Sequence, residues 1–267
     1  VNSGSIENKG LEVVVEGAII KQKDLNWNTD FNISWKRNRI LNLVSDVEKQ
    51  FAANISTSDN PYIQVAGKPI GSVYGYVEDG FYDNEAEVRN DPAFSNQPDA
   101  IIRGKVGEIK YKDLDGVPGI TEADRTFIGD VNPKFIFGFT NNISYRNFDL
   151  SIFVNGSQGN DVINMTTRFL QDMGGDKNIM QDMYNSTWTE GKLTTGAKWP
   201  KIVRGFTRTF FFTRRYVEDG SYVRIKNVTL GYNFPVKPIG LQNLRLAFGV
   251  NNLYTFTNYS GYDPEVN

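Results

Sequence analysis

Histidine and cysteine are both missing from this chain of 267 residues. Without them the protein cannot build a Ser-His-Asp triad, a thiolate nucleophile, a thiol redox pair or a zinc site of histidine and cysteine ligands. Any catalysis would have to use carboxylate, hydroxyl or lysine side chains. The composition therefore excludes several large classes of enzyme before any motif is considered.

A surplus of basic residues and long apolar runs are lacking as well. The chain has 29 Lys and Arg residues against 31 Asp and Glu residues, whereas binding to a phosphate backbone usually needs a basic surplus. No apolar run approaches the ~18 residues of a transmembrane helix. Nucleic acid is therefore not a predicted partner, and a helical membrane protein is excluded. The mean hydropathy of -0.42 remains compatible with a membrane β-barrel, whose strands alternate.

Aromatic residues, in contrast, make up 13% of the chain, and they recur at every second position. In the window 25–36, apolar or aromatic residues alternate with polar ones almost without exception. Because side chains two residues apart share a face of a strand, this alternation predicts a β-strand. Alternating strands are predicted at 10–20, 25–36, 135–145, 148–155, 228–234 and 244–251.

The predicted strands pair as three hairpins, and the connections between the hairpins are long. The predicted turns are 21–24, 146–147 and 235–243. The regions 37–132 and 156–221 are predicted to be long extracellular loops, because outer-membrane barrels combine short turns at one end with long loops at the other. Trp27 and Trp35 lie near opposite ends of a predicted strand, as interface anchors do. The pattern favours an all-β fold, an antiparallel transmembrane β-barrel segment with short periplasmic turns.

Two alternatives from other functional classes remain open. A soluble or surface β-sandwich that binds carbohydrate without transport would also show alternation and abundant aromatic residues. A hydrolase would need two carboxylates at a defined separation, which one sequence does not reveal. The sandwich predicts an independently soluble chain, and the hydrolase predicts turnover that is lost when one carboxylate is removed. No catalytic or cofactor-binding residue is predicted, and the protein is not expected to be an enzyme.

Several phrases of the sequence resemble, in order, those of one transporter family. They are Asn8-Lys9-Gly10-Leu11-Glu12, Gly67-Lys68-Pro69-Ile70-Gly71, Asp79-Gly80-Phe81, Gly107-Glu108-Ile109-Lys110-Tyr111, Asn132-Pro133-Lys134-Phe135, Tyr222-Val223-Arg224-Ile225 and Asn251-Asn252-Leu253-Tyr254. Over nearly its whole length the chain resembles the C-terminal part of the SusC/RagA family of TonB-dependent outer-membrane transporters. Such transporters are several times longer. We therefore expect residues 1–267 to be a fragment of one TonB-dependent receptor β-barrel domain, with the plug domain absent.

The resemblance implies active nutrient import across the outer membrane of a Gram-negative bacterium. It implies a barrel of about 22 strands, a SusD-like surface lipoprotein as partner, a TonB complex that acts through the absent N-terminal part, and a glycan or peptide cargo. The side chains expected to face the lipid bilayer are Trp27, Phe31, Trp35, Phe135, Phe137, Phe139, Phe148, Leu150 and Ile152. Those expected to face the lumen are Asn26, Asn28, Asp30, Asn32, Thr140, Asn142, Asp149 and Ser151. None of them is assigned to cargo binding.

One loop is similar to a calcium-binding loop. Residues 113–124 place carboxylates at the first, third and twelfth positions, on Asp113, Asp115 and Asp124. Val117 stands where a third ligand is usual, and Pro118 replaces the glycine of the sharp turn. Because calcium prefers 6 to 8 oxygen ligands, the alternative is a solvated turn whose carboxylates cap local amides. Asp113, Asp115 and Asp124 are the candidate metal ligands.

Overall fold

The computed structural model describes residues 4–43, 49–51, 60–170, 178–203, 211–235 and 244–265. Its strands are β1 (Gly4–Lys21), β2 (Leu25–Leu43), β3 (Lys49–Phe51), β4 (Tyr62–Val65), β5 (Ser72–Gly75), β6 (Glu78–Phe81), β7 (Ile109–Tyr111), β8 (Thr126–Asp130), β9 (Phe135–Tyr145), β10 (Phe148–Gln158), β11 (Asp161–Ile163), β12 (Val217–Asp219), β13 (Tyr222–Phe234) and β14 (Leu244–Thr257). Its helices are α1 (Glu85–Asn90), α2 (Asp99–Lys105), α3 (Met165–Leu170) and α4 (Gln181–Ser186). None of the helices in these residues has the length and apolar character to cross a membrane.

The long strands form one antiparallel sheet of six strands in the order β1-β2-β9-β10-β13-β14. We call this sheet the wall. The predicted strands and their hairpin pairing are confirmed, and Arg146 takes the positive φ of 52° that the tight second turn requires. Its backbone N–H donates to Asp24 of the first turn at 2.7 Å, so the two turns lie at the same end of the wall. Residues 236–243 of the third predicted turn lie outside the described residues.

Some strands are longer than the alternation predicted. β1 begins at Gly4, β2 continues to Leu43 and β13 begins at Tyr222, so β1 and β2 have 18 and 19 residues. A tilted membrane strand needs about 9 to 11 residues. Because β2 continues to Leu43, Trp35 lies near the middle of the strand and not near its end. The β1–β2 hairpin also extends past the other strands.

The two long connections fold together at the end of the wall opposite the turns. We call the described residues of 49–134 and 159–221 the outer module. Its strands form small sheets, β3-β4-β5-β8, β6-β7 and β11-β12. Two hydrophobic clusters contain side chains from both connections. In the first, Phe81 and Ile109 pack with Trp188 and Trp199. In the second, Val73 packs with side chains of the other connection such as Phe212. The regions predicted to be loops thus share a hydrophobic core.

An ion pair also joins the two halves of the outer module. The guanidinium of Arg215 binds the carboxylate of Glu78 through Nε at 3.0 Å and through a second nitrogen, while Thr213 donates its hydroxyl to the same carboxylate at 2.6 Å. The guanidinium also lies over the ring of Trp199. Both charged side chains are mostly buried, so removing either one would leave the other uncompensated.

Candidate functional site: the two-faced wall and its outer rim

The register of the wall brings its apolar side chains onto one face. Phe31 pairs with Phe139, which pairs with Val154. Leu230 pairs with both Leu150 and Phe248. Every side chain predicted to face lipid lies on this apolar face, and β1 adds Leu11, Val13 and Val15 opposite Trp35, Ile33 and Phe31.

The apolar face remains open where it was expected to meet lipid. Leu246 and Phe248 are 68% and 74% exposed. In a β-sandwich the apolar face of one sheet packs against that of a second sheet about 10 Å away. No second sheet covers these side chains in the part of the chain that the structure describes, so the β-sandwich alternative does not fit.

Polar side chains form a continuous surface on the opposite face. Asn28 pairs with Asn142, which pairs with Ser151, and the Ser151 hydroxyl donates to the Asn142 side-chain oxygen at 2.8 Å. All the residues predicted to face the lumen share this polar face. The sequence analysis missed its extension onto the last hairpin, where the Asn227 amide donates to Asn251 at 2.8 Å. The alternation of residues 228–234 and 244–251 already indicated that this hairpin has a polar side.

Near the turns, the polar face carries an ion pair. Arg245 binds Asp149 through Nε at 3.1 Å, and the amide of Asn233 donates to the same carboxylate at 3.1 Å. Gly231 lies beneath them, and a Cβ there would come within 2.6 Å of the Asp149 oxygens. Glycine at this position therefore leaves the space that the ion pair needs.

A cavity of about 740 Å³ lies at the outer rim, between the wall and the outer module. Its charged lining comprises Arg37, Lys134 and Arg214 together with Asp130, Asp161 and Asp219, and amide side chains complete it. Equal numbers of cations and carboxylates favour a neutral polar solute over a strongly charged one. Its residues come from strand ends and connections that are far apart in the sequence, so no local sequence pattern predicts the cavity.

The structure brings the predicted metal ligands together. One carboxylate oxygen from each of Asp113, Asp115 and Asp124 lies within 4.8 Å of the others. Asp113 accepts from the backbone N–H of Gly116 at 2.6 Å, and Asp115 accepts from Val117 at 2.8 Å. Such hydrogen bonds from carboxylates to nearby backbone amides are what a solvated turn without a metal ion would show.

Asp124 is the buried member of the group, and its oxygens are already occupied. One oxygen accepts from the backbone N–H of Leu114 at 2.7 Å and from Asp115 at 3.4 Å, and the other accepts from the N–H and hydroxyl of Thr121 at 2.7 and 3.3 Å. The Thr121 N–H is the main cause of a lowered pKa of the Asp124 carboxyl. A carboxylate has about four lone-pair sites, and four hydrogen bonds already use those of Asp124. The three carboxylates therefore fit a calcium ion poorly.

Comparisons with known proteins give the chain relatives along its whole length. It is 37% identical over 272 residues to TonB-dependent receptor P3 of Formosa agariphila, covering all of this chain and 26% of the relative. It is 25% identical over 283 residues to TonB-dependent receptor SusC of Bacteroides thetaiotaomicron, covering 99% of this chain and 24% of the relative. The chain spans about a quarter of the length of the curated relatives it matches. No family model matches the sequence.

Solved structures share the fold. The RagAB peptide transporter superposes with a TM-score of 0.75 at 24% identity, over 99% of this chain and 27% of that chain. The RagAB peptide importer in its closed-closed state gives 0.74 at the same identity, over all of this chain and 28% of that chain. The solved structures and the open apolar face thus show that the chain has the fold of a segment of a larger β-barrel, and its sequence is similar along its whole length to TonB-dependent receptors, SusC among them.

Proposed function

We propose that the chain forms part of the wall and the outer rim of an outer-membrane importer of nutrients. The observation that carries this proposal is the register of the wall, which gives one sheet an open apolar face and a continuous polar face. A membrane barrel needs this arrangement, because lipid meets one face and the lumen meets the other. The relatives named TonB-dependent receptor support it.

The cargo that suits this polar face is a glycan or a peptide. Amide and hydroxyl groups such as those of Asn28, Asn142 and Ser151 both donate and accept hydrogen bonds, so they can exchange bonds with sugar hydroxyls or peptide groups. The cationic, carboxylate and amide side chains of the rim cavity offer hydrogen-bond donors and acceptors to a solute of either kind. The structural likeness to the RagAB peptide transporter supports the peptide alternative.

A SusD-like surface lipoprotein and a TonB complex complete the proposed assembly. The outer module is the part of this chain that would meet the lipoprotein, because it lies at the end of the wall opposite the turns. TonB would act on a part of the receptor outside this chain. The proposed function of this assembly is transport, and no side chain of the polar face is proposed as a catalyst.

Uptake by cells that carry the whole receptor tests the proposal. Asn28→Leu with Asn142→Leu makes the polar face apolar while conserving approximate side-chain volume, and we expect a several-fold loss of uptake of fluorescent glycan or peptide mixtures. The control, Lys23→Ala in the exposed first turn, should import normally. Receptor amounts in the outer membrane are measured in parallel. Normal uptake by the double variant at normal receptor levels would contradict the proposal.

A further inference from the structure

The segment that follows the last strand folds back over the wall. We call residues 258–265 the strap. The hydroxyl and backbone N–H of Ser260 both donate to the carboxylate of Glu218 at 2.8 Å, and the amide of Asn164 donates to the Ser260 hydroxyl at 3.1 Å. These bonds fix the start of the strap to the outer module.

Two carboxylates fix the other end of the strap to β13. The Arg224 guanidinium binds Asp263 and Glu265 through its two terminal nitrogens, and its Nε donates to Thr255 at 2.7 Å. The Lys226 ammonium binds both oxygens of Glu265 at 2.9 and 2.7 Å. Two cations thus hold an acidic stretch of peptide.

Both cations reach the polar face of the wall. Arg224 pairs with Asn155 on one side and with Thr255 on the other, and both partners lie in the register of the polar face. In the pairing with β10, Phe153 lies opposite Asn227 and Val154 opposite Ile225, so Lys226 is the extra residue of a bulge. The Arg224 side chain is only 4% exposed, so its buried positive charge needs the compensation that the carboxylates supply.

We propose that Arg224 and Lys226 form a binding site for carboxylate-bearing solutes, above all acidic peptide segments, and that the strap fills it as an internal ligand. Asp263, Pro264 and Glu265 are themselves an acidic peptide held in the site. The planar fork of arginine suits a pair of carboxylate groups, and the lysine adds a point charge. This inference deepens the proposed function, since it assumes that cargo reaches the polar face.

The strap competes with any free ligand for this site. A short tether gives its carboxylates an effective concentration on the order of millimolar. A free acidic peptide therefore binds the unaltered receptor weakly, and it binds much more tightly once the strap has lost its charges. Competition of this kind separates a binding site from an ion pair that only supports the fold.

The test measures binding of a tetraglutamate peptide to the purified whole receptor by calorimetry. We expect Asp263→Asn with Glu265→Gln to tighten binding at least tenfold, and the further change Arg224→Gln to abolish that gain. Tetraglutamine is the ligand control, and Glu190→Gln, which removes one exposed carboxylate of the outer module, is the protein control with no expected gain. Circular dichroism checks the fold, and Glu265→Gln alone, expected to give an intermediate gain, serves if the double variant unfolds.

Unchanged affinity of the strap variants, or an equal gain for tetraglutamine, would overturn the inference. The experiment needs no energised membrane and no import. A receptor that imports nutrients but shows no gain in tetraglutamate binding would therefore refute the acidic site alone. A receptor that shows the gain but never imports would refute the proposed function alone.

Discussion

Trp27 donates its indole N–H to the side-chain oxygen of Asn141 at 3.0 Å, across the β2–β9 pair. Asn141 is the one polar residue that interrupts the apolar side of β9, and it lies directly beside Ile152 of β10. A polar group that faces lipid without a partner is costly. The indole supplies that partner, so the exception in the alternation has a physical cause.

We expect Asn141→Leu to destabilise the whole receptor in bilayers, although leucine suits a lipid-facing position better. The loss should be about 0.5–1.5 kcal/mol, because the change removes the hydrogen bond of the Trp27 N–H. Trp27→Phe together with Asn141→Leu should cost less than the sum of the single changes, since no donor is then left unpaired. Urea unfolding in vesicles measures the cycle, and strict additivity would show that the bond contributes nothing.

Phe31→Lys and Asn32→Lys in the whole receptor place the same charge on opposite faces of β2. We expect the first to cost roughly 2–4 kcal/mol of folding free energy in bilayers, because the cation meets lipid near the middle of the strand. The second should be nearly neutral, because that face is wet. Folding titrations in urea compare the two variants. Equal effects, or the reverse order, would show that the faces are assigned wrongly.

Calcium should leave the thermal stability of the receptor unchanged, both with and without Asp113→Ala. The four hydrogen bonds to Asp124 already occupy the innermost carboxylate of the loop, so little mass-action stabilisation is available at low millimolar calcium. Melting curves with calcium and with chelator check this. A calcium-dependent rise in melting temperature that Asp113→Ala abolishes would instead make Asp113, Asp115 and Asp124 ligands.

The 113–124 loop should lose stability in acid because of Asp124. Hydrogen bonds, first that of the Thr121 N–H, hold the pKa of this carboxyl below its ordinary value. The stabilisation is therefore fully present above the unfolded pKa of about 3.9 and is lost as the pH falls through the lower folded pKa. Hydrogen-exchange protection of the Leu114 and Thr121 amides should therefore fall as the pH drops below about 4.

Asp124→Asn is the matched control for this pH dependence. The variant should show reduced protection at neutral pH, since an amide nitrogen cannot accept the bonds that one carboxylate oxygen accepts, and no further loss in acid. The cost should be roughly 1–3 kcal/mol, as for other unpaired buried groups. Protection that falls equally in both proteins would assign the acid effect to another group.

The wall was predictable from the sequence because each of its faces meets a single environment. Phe31 and Asn32 differ in polarity for that reason, and neighbouring residues repeat the contrast. The extension of β2 through Arg37 and Arg39 was not predictable, because β2 pairs there only with β1 and the apolar and polar residues no longer alternate. Nor was the outer module predictable, since Phe81 and Trp188 meet only after the chain between them has folded.

In the 113–124 loop, the spacing of the carboxylates predicts some features of the structure and not others. The spacing of Asp113, Asp115 and Asp124 picked out three side chains whose oxygens lie within 4.8 Å of one another, and their role as metal ligands stays a prediction. It did not reveal that Asp124 turns its oxygens to backbone amides, because that depends on the path of the chain through Thr121. The strap contacts of Arg224 likewise depend on a bulge, which alternation does not encode.

The ion pair between Glu78 and Arg215 spans 137 residues of chain. Phe81 and Ile109 also lie far along the chain from their partners Trp188 and Trp199, so the core of the outer module depends on contacts between distant parts of the sequence. Pairing over such a distance slows folding, because loop closure precedes any compensating contact. During that interval the first connection carries uncovered aromatic and apolar side chains. A chain interrupted before residue 188 would lack the aromatic partners of Phe81 and Ile109, so those side chains would stay uncovered.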